Sequence, residues 1–211
     1  MFIFLPILFL LLWFPLLLAI LFFHLIEFGF EKVGIPADLT FILLLLILLG
    51  SFINIPLTRR RYFYVKKKYF LGLIERREIR GEGLFINLGG GIIPLIISFY
   101  LIYKIPDKFL ILWPILFMIF ICYSLAKVVP ERGVVIPAFI PPIFSAIFSL
   151  IFCHPFAAPC AFISGVLGTL IGADIMHLPD FKGRGFLSIG GAGVFDGIFL
   201  TAIFSAILAP F

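Results

Sequence analysis

Residues 2–25 read FIFLPILFLLLWFPLLLAILFFHL, a run without a single Asp, Glu, Lys or Arg. An α-helix needs about 20 apolar residues to cross the hydrocarbon core of a bilayer, so this run is long enough. It has no basic segment ahead of it and no Ala-x-Ala site behind it, and it exceeds the roughly 7 to 15 residues of a signal-peptide core. A retained transmembrane helix is therefore expected. Glu27, Glu31, Lys32, Pro36 and Asp38 interrupt the apolar character, and a second run follows at 39–57. Further spans are expected near 84–103, 110–126, 134–152, 157–178 and 186–211, which makes about seven helices.

The composition points the same way: 63% of residues are hydrophobic, 18% aromatic and 13% charged. A soluble domain carries about 25% charged residues, and no soluble core could hide this much apolar surface. Spans of this length use up most of the 211 residues. One integral membrane domain, 1–211, is therefore expected, folded as an all-α helix bundle with a basic loop at 58–83. The net charge of +5 raises nucleic acid as a partner. Its concentration in a loop between two apolar spans is instead the signature of a topology signal, so no nucleic acid is expected.

That loop holds Arg59, Arg60, Arg61, Lys66, Lys67, Lys68, Arg76, Arg77 and Arg80. Together with Lys127, Arg132, Lys182 and Arg184, one side carries thirteen of the 16 basic residues, and the other has only Lys32, Lys104 and Lys108. The positive-inside rule then puts the N-terminus in the cytoplasm and the C-terminus outside. A multi-pass protein of a prokaryotic cytoplasmic membrane is expected, with the lipid bilayer as partner. Tyr62, Phe63, Tyr64, Tyr69 and Phe70 interleave the basic loop, a pattern that also suits contact with anionic headgroups.

An internal echo bears on architecture. Gly50-Ser51-Phe52-Ile53-Asn54-Ile55-Pro56 ends the second span, and Gly172-Ala173-Asp174-Ile175-Met176-His177-Leu178-Pro179 ends the sixth. The spans that follow open alike, with Gly81-Glu82-Gly83 then Asn87-Leu88-Gly89-Gly90-Gly91 against Gly183-Arg184-Gly185 then Ser188-Ile189-Gly190-Gly191-Ala192-Gly193. One single-residue gap aligns each pair. The pattern suggests a 3+1+3 parallel repeat about the membrane normal, although shared turn composition alone would give a similar echo.

The halves differ in two acids. Phe52 aligns with Asp174, and Leu95 falls close to Asp196. A charged Asp at the bilayer centre costs about 2.5 to 3.5 kcal/mol on insertion scales, so both are functional candidates. A helix running from near Gly193 to Phe211 would put Asp196 about one turn inside the cytoplasmic face, at a depth similar to that of Asp174. Carboxylates facing each other at that depth would share a proton, one serving as base towards a water and the other polarising a carbonyl.

At these residues the chain resembles the Gly-x-Gly-Asp class of intramembrane aspartyl proteases, the presenilin and signal-peptide-peptidase group. The resemblance rests on residues 173–197, with Gly191, Gly193 and Gly197 around Asp196, and on Pro137-Ala138-Phe139. It implies Asp174 and Asp196 as catalytic residues, with a Pro-Ala element close by. The chain departs from that class in having Ala173 where those proteins have Tyr, in Val194-Phe195 between the glycines and Asp196, in a Pro-Ala element that precedes both acids, and in about seven spans instead of nine. Over its whole length it resembles an uncharacterised prokaryotic membrane family, a domain of unknown function.

Two other functions fit the same residues. Helix breaks at Gly89-Gly90-Gly91 and Pro94, at Pro137, Pro141 and Pro142, and at the start of the seventh span suit a proton- or cation-coupled transporter of small solutes. Asp174, His177 and Asp196 would then form a relay, with Asn54 and Asn87 as polar ligands. A non-catalytic assembly protein requires only that the acids pair with His177, Lys182 or Arg184. His177 lies three residues after Asp174 and can reach it on one helix face, while capping or linking helices is an equally good role for Asn54 and Asn87. The small-residue stripe Ala161, Gly165, Gly168 and Gly172 points largely away from Asp174, so a two-acid site requires that stripe to pack on a helix other than the seventh.

Cys153 and Cys160 bracket the loop at 154–159. A disulfide is one reading there and free thiols the ordinary one. Cys122 reads as apolar filler. No phosphate loop, dinucleotide fingerprint, Ser-His-Asp order or haem motif occurs, and His154 with the two cysteines lacks a fourth zinc ligand. No cofactor and no metal is expected.

Overall fold

Helix α1 (Phe4–Lys32) is followed across a short turn by α2 (Ala37–Gly50), and the chain then leaves helical geometry for a strand, β1 (Asn54–Pro56). The computed structural model describes residues 4–69, 74–129, 133–181, 185–191 and 193–210. Arg132, Lys182, Gly183, Arg184, Ala192, Phe70 and Phe211, which figure in the sequence readings, lie outside them. The remaining elements are β2 (Arg61–Tyr69), β3 (Ile74–Asn87), α3 (Ile93–Lys104), α4 (Lys108–Leu125), β4 (Lys127–Val129), β5 (Gly133–Val135), α5 (Ile140–Phe152), α6 (Ala157–Gly168), α7 (Leu178–Phe181), β6 (Phe186–Ile189) and α8 (Gly197–Leu208). A π-helical turn at Leu88–Ile92 precedes α3, and another at Thr169–Ile175 extends α6.

Among the described residues, three helical stretches are long and apolar enough to cross a membrane: Trp13–Lys32 with 20 residues, Lys108–Leu125 with 18 and Ala157–Asp180 with 24. Four others, Ala37–Gly50, Leu88–Lys104, Ile140–Phe152 and Gly197–Leu208, are apolar but shorter. At about 1.5 Å per residue, the 12 to 14 residues of α2, α5 and α8 reach some 18 to 21 Å, short of a hydrocarbon core of about 30 Å. The spans expected at 39–57, 84–103, 134–152 and 186–211 are thus only partly helical. Their apolar character continues past the helix end into strands or extended chain.

The fold is mostly helical, and the expectation of an all-α bundle is corrected at one end of it. The basic segment at 58–83, expected as a loop, forms with its flanks an antiparallel hairpin in register from Arg61↔Glu82 to Tyr69↔Ile74. β1 adds to β3 antiparallel (Asn54↔Asn87 to Pro56↔Phe85), and β6 pairs with β3 in parallel from Gly83↔Phe186 to Ile86↔Ile189. β4 and β5 form a separate two-stranded ribbon. Periodicity cannot separate a short apolar strand from the end of a buried helix, which is why these segments read as helix. The pairing gives partners to the backbone where the short helices stop.

α6 is the central column. Ala157, Ala158, Gly168 and every residue from 160 to 166 are buried, against α3, α4, α5 and α8. Ala, Gly and Ser in this helix let neighbouring backbones approach closely. Gly165 faces Ala202 and Ser205 of α8, whereas Gly168 and Gly172 face Met118, Ile119 and Cys122 of α4. Between α5 and α6, Ser145 Oγ donates to Ala161 O at 2.8 Å and lies 2.8 Å from Ser164 Oγ. At the end away from the sheet, Lys32 Nζ donates to Ile207 O (2.9 Å) and to Ala209 O, tying α1 to the C-terminal end of α8. Cys153 and Cys160 are joined by a disulfide there, in place of the free thiols ordinarily expected. The intervening loop folds back so that α5 and α6 lie side by side.

Candidate functional site

The sixth helical stretch widens into a π-helical turn at Thr169–Ile175, and Asp174 sits on it, half-buried. Because Gly168 and Gly172 turn towards α4, the small-residue stripe is occupied by a partner other than α8 at this level. Asp174 is thereby left to face elsewhere, the condition a two-acid arrangement requires.

Asp196 arrives differently from the expectation. Only a single 3-10 turn, Gly193–Phe195, stands where the long seventh helix was expected to begin. Gly190 and Gly193 have φ of +69° and +60°, a left-handed conformation that breaks the chain, and α8 starts at Gly197. Asp196 is its N-cap, with a side-chain oxygen accepting from Ile198 N at 2.9 Å. It stands at the start of the helix and not a turn inside it, because Asp satisfies the free amides of a helix start and the glycines before it disfavour helix.

Both carboxylates line one cavity of about 540 Å³. The same cavity is walled by Pro137 and Ala138, by β5, by Gly190, Gly191 and Gly197, and by the hydroxyl-bearing Ser188 and Thr201. Its size falls within the usual range of ligand sites, about 300 to 1,000 Å³. Open space at Gly197 widens it, since a Cβ there would find only Ile136 Cγ2, at 4.0 Å. β5, Ser188 and Thr201 escaped the sequence reading. A Thr and a Ser among many apolar residues carry no signal until the fold turns them towards the acids.

The other candidates lie apart from this cavity. Gly193 packs on Ser51, whose Oγ would be 1.9 Å from an added Cβ. Asn87 accepts from Gly89 N and Gly90 N at 2.9 Å each, capping the turn before α3, and donates to Ser51 O at 2.8 Å and to Asn54 Oδ1 at 3.1 Å. Ser188 Oγ donates to the same Asn54 oxygen at 2.6 Å. Asn54 and Asn87 therefore build a polar junction between the two halves of the chain and do not ligand the acid cavity. His177 was expected to reach Asp174. Its Nδ1 instead meets Ala173 O at 2.9 Å and Gly172 O at 3.2 Å, and its ring lies 4.9 Å from that of Tyr123. The widened π turn frees those carbonyls, and the imidazole satisfies them.

Residues 48–208 match the model of a family described as "Protein of unknown function (DUF1614)". No curated protein and no solved structure matches the chain, so the likeness to the aspartyl proteases rests on the residues alone.

Proposed function

We propose, for a chain that belongs to the DUF1614 family, that it is a multi-pass membrane protein whose two carboxylates form an intramembrane hydrolytic site of the aspartyl type. In this reading all seven apolar stretches lie in a cell membrane, with the N-terminus and the sheet end cytoplasmic, so that the cavity opens near the cytoplasmic face. The basic residues of the hairpin support that orientation. A 3+1+3 repeat belongs to the same reading, supported by the parallel pairing of β3 with β6 within the segments that echo each other.

The observation that carries the function is the shared cavity: Asp174, Asp196 and the Pro137-Ala138 pair, distant in sequence, line it together. One carboxylate takes a proton from a water as its oxygen attacks a carbonyl carbon, while the protonated partner donates to the carbonyl oxygen. Asp196, at the positive end of the α8 dipole, suits the ionised role. A proton-coupled transporter is the second reading, favoured by the helix breaks around the cavity, where α5 and α8 stop short and strand or turn replaces them.

A peptide mimic carrying a hydroxyl in place of the scissile carbonyl, with a photoreactive group, tests the proposal on the purified protein. Labelling should be lost in Asp174→Asn and in Asp196→Asn alike, with the double variant no worse than either, because members of one catalytic unit are strongly non-additive. Equal labelling of all four proteins would overturn the hydrolase reading. Uptake into vesicles that follows a pH gradient, and is lost in either variant, would install the transporter.

A further inference from the structure

A second cavity, of about 390 Å³, shares only Leu187 with the carboxylate cavity. Arg59 and Arg61 line it together with Thr58, while Leu84, Leu178 and Leu187 form its apolar wall. Arg60, between the two arginines, goes elsewhere, its guanidinium lying 5.3 Å from the Phe85 ring centroid. Among the described residues neither Arg59 nor Arg61 forms an ion pair. Glu82 also lines the cavity, so its lining carries two arginines against one carboxylate and the balance is positive. Thr58 Oγ1 accepts from Leu84 N at 2.8 Å, which leaves its O–H to donate.

We propose that this cavity binds the phosphate of a membrane phospholipid, with Arg59 and Arg61 clamping the anion and the leucines against the glycerol and first methylenes. Guanidinium groups match phosphate oxygens in planar, paired hydrogen bonds, and the Thr58 hydroxyl adds a second kind of donor. The lipid source follows from the wall. Leu178 belongs to the last turn of the Ala157–Asp180 stretch, where an apolar helix meets the basic sheet. A phosphate held there has apolar surface on one side and cationic groups on the other, as a headgroup does at the edge of a bilayer. The site does not depend on what the carboxylates do.

The test uses the full-length protein in neutral detergent micelles, titrated separately with phosphatidic acid, diacylglycerol and inorganic phosphate, and read by native mass spectrometry and by the unfolding midpoint. Phosphatidic acid should bind and raise the midpoint, and diacylglycerol should not. Arg59→Gln/Arg61→Gln should weaken phosphatidic acid roughly tenfold or more. Lys66→Gln/Lys67→Gln, which removes equal charge further along the hairpin, should leave binding intact. Arg59→Gln alone, on irregular chain before β2, should weaken it in the same direction should the double variant fold poorly. Equal loss in the lysine control, no loss in the arginine variants, or equal binding of diacylglycerol would overturn the site. Inorganic phosphate binding as tightly as phosphatidic acid would keep the anion site and overturn its assignment to lipid.

Discussion

Asp196 combines two tasks in one side chain, capping α8 through Ile198 N and lining the cavity that holds Asp174. The tasks separate by substitution. Asn keeps an acceptor for the amide, so Asp196→Asn should unfold within a fraction of a kcal/mol of the parent, whereas Asp196→Ala should lose about 1 kcal/mol to the missing cap. A thermal melt of both variants checks this, and equal destabilisation would remove the cap from the account. The glycines offer a sharper contrast. A Cβ on Gly90 would sit 2.4 Å from Gly190 O and 2.8 Å from Gly193 O, backbone atoms with no flexible end to move. Gly90→Ala should therefore cost about 1 to 3 kcal/mol, the range for overpacking, while Gly197→Ala, beside open space, should melt close to the parent. Neither contrast is visible along the chain, where both positions are simply glycines in Gly-rich runs.

Individual elements report orientation through independent chemistries. The β2–β3 hairpin concentrates the basic residues at the sheet end, so a reporter near Lys67 should be cytoplasmic and one at the C-terminus external. The disulfide between Cys153 and Cys160 lies at the opposite end, at the α5–α6 turn. Disulfides persist on the oxidising side of a membrane. All three cysteines are buried in the folded chain, so the protein unfolded without reductant should offer Cys122 alone to a thiol alkylator, and Cys153 and Cys160 as well only after reduction. A cytoplasmic C-terminus, or two free thiols in protein prepared without reductant, would each contradict the proposed sidedness. The hairpin also shows why the segment at 58–83 reads as loop in the sequence. Its charges suggested solvated loop, but aromatic and β-branched residues such as Tyr62, Tyr64 and Val65 favour a strand once a partner lies alongside.

Across the whole molecule, α1 is held at its far end by Lys32, whose ammonium bridges to the carbonyls at the end of α8. Lys32→Met keeps the length and removes those bonds, and should cost about 1 to 2 kcal/mol, a fall of a few degrees in the unfolding midpoint measured in detergent. An unchanged midpoint would mean that α1 packs on α8 without needing the tie. Composition by itself determined that the chain carries long apolar helices, because 13% charged residues leave a soluble fold no surface to present to water. The run of basic residues and the two isolated acids were equally legible, since charge stands out against an apolar background. Only the tertiary structure decided that 54–56, 84–87 and 186–189 are strands, that Gly168 and Gly172 turn to α4, and that Asp174 and Asp196 line one cavity with Pro137 and Ala138. A strand needs a partner to satisfy its backbone, and for β6 that partner lies in β3, on the other side of five helices in sequence. No local property of residues 186–189 names it.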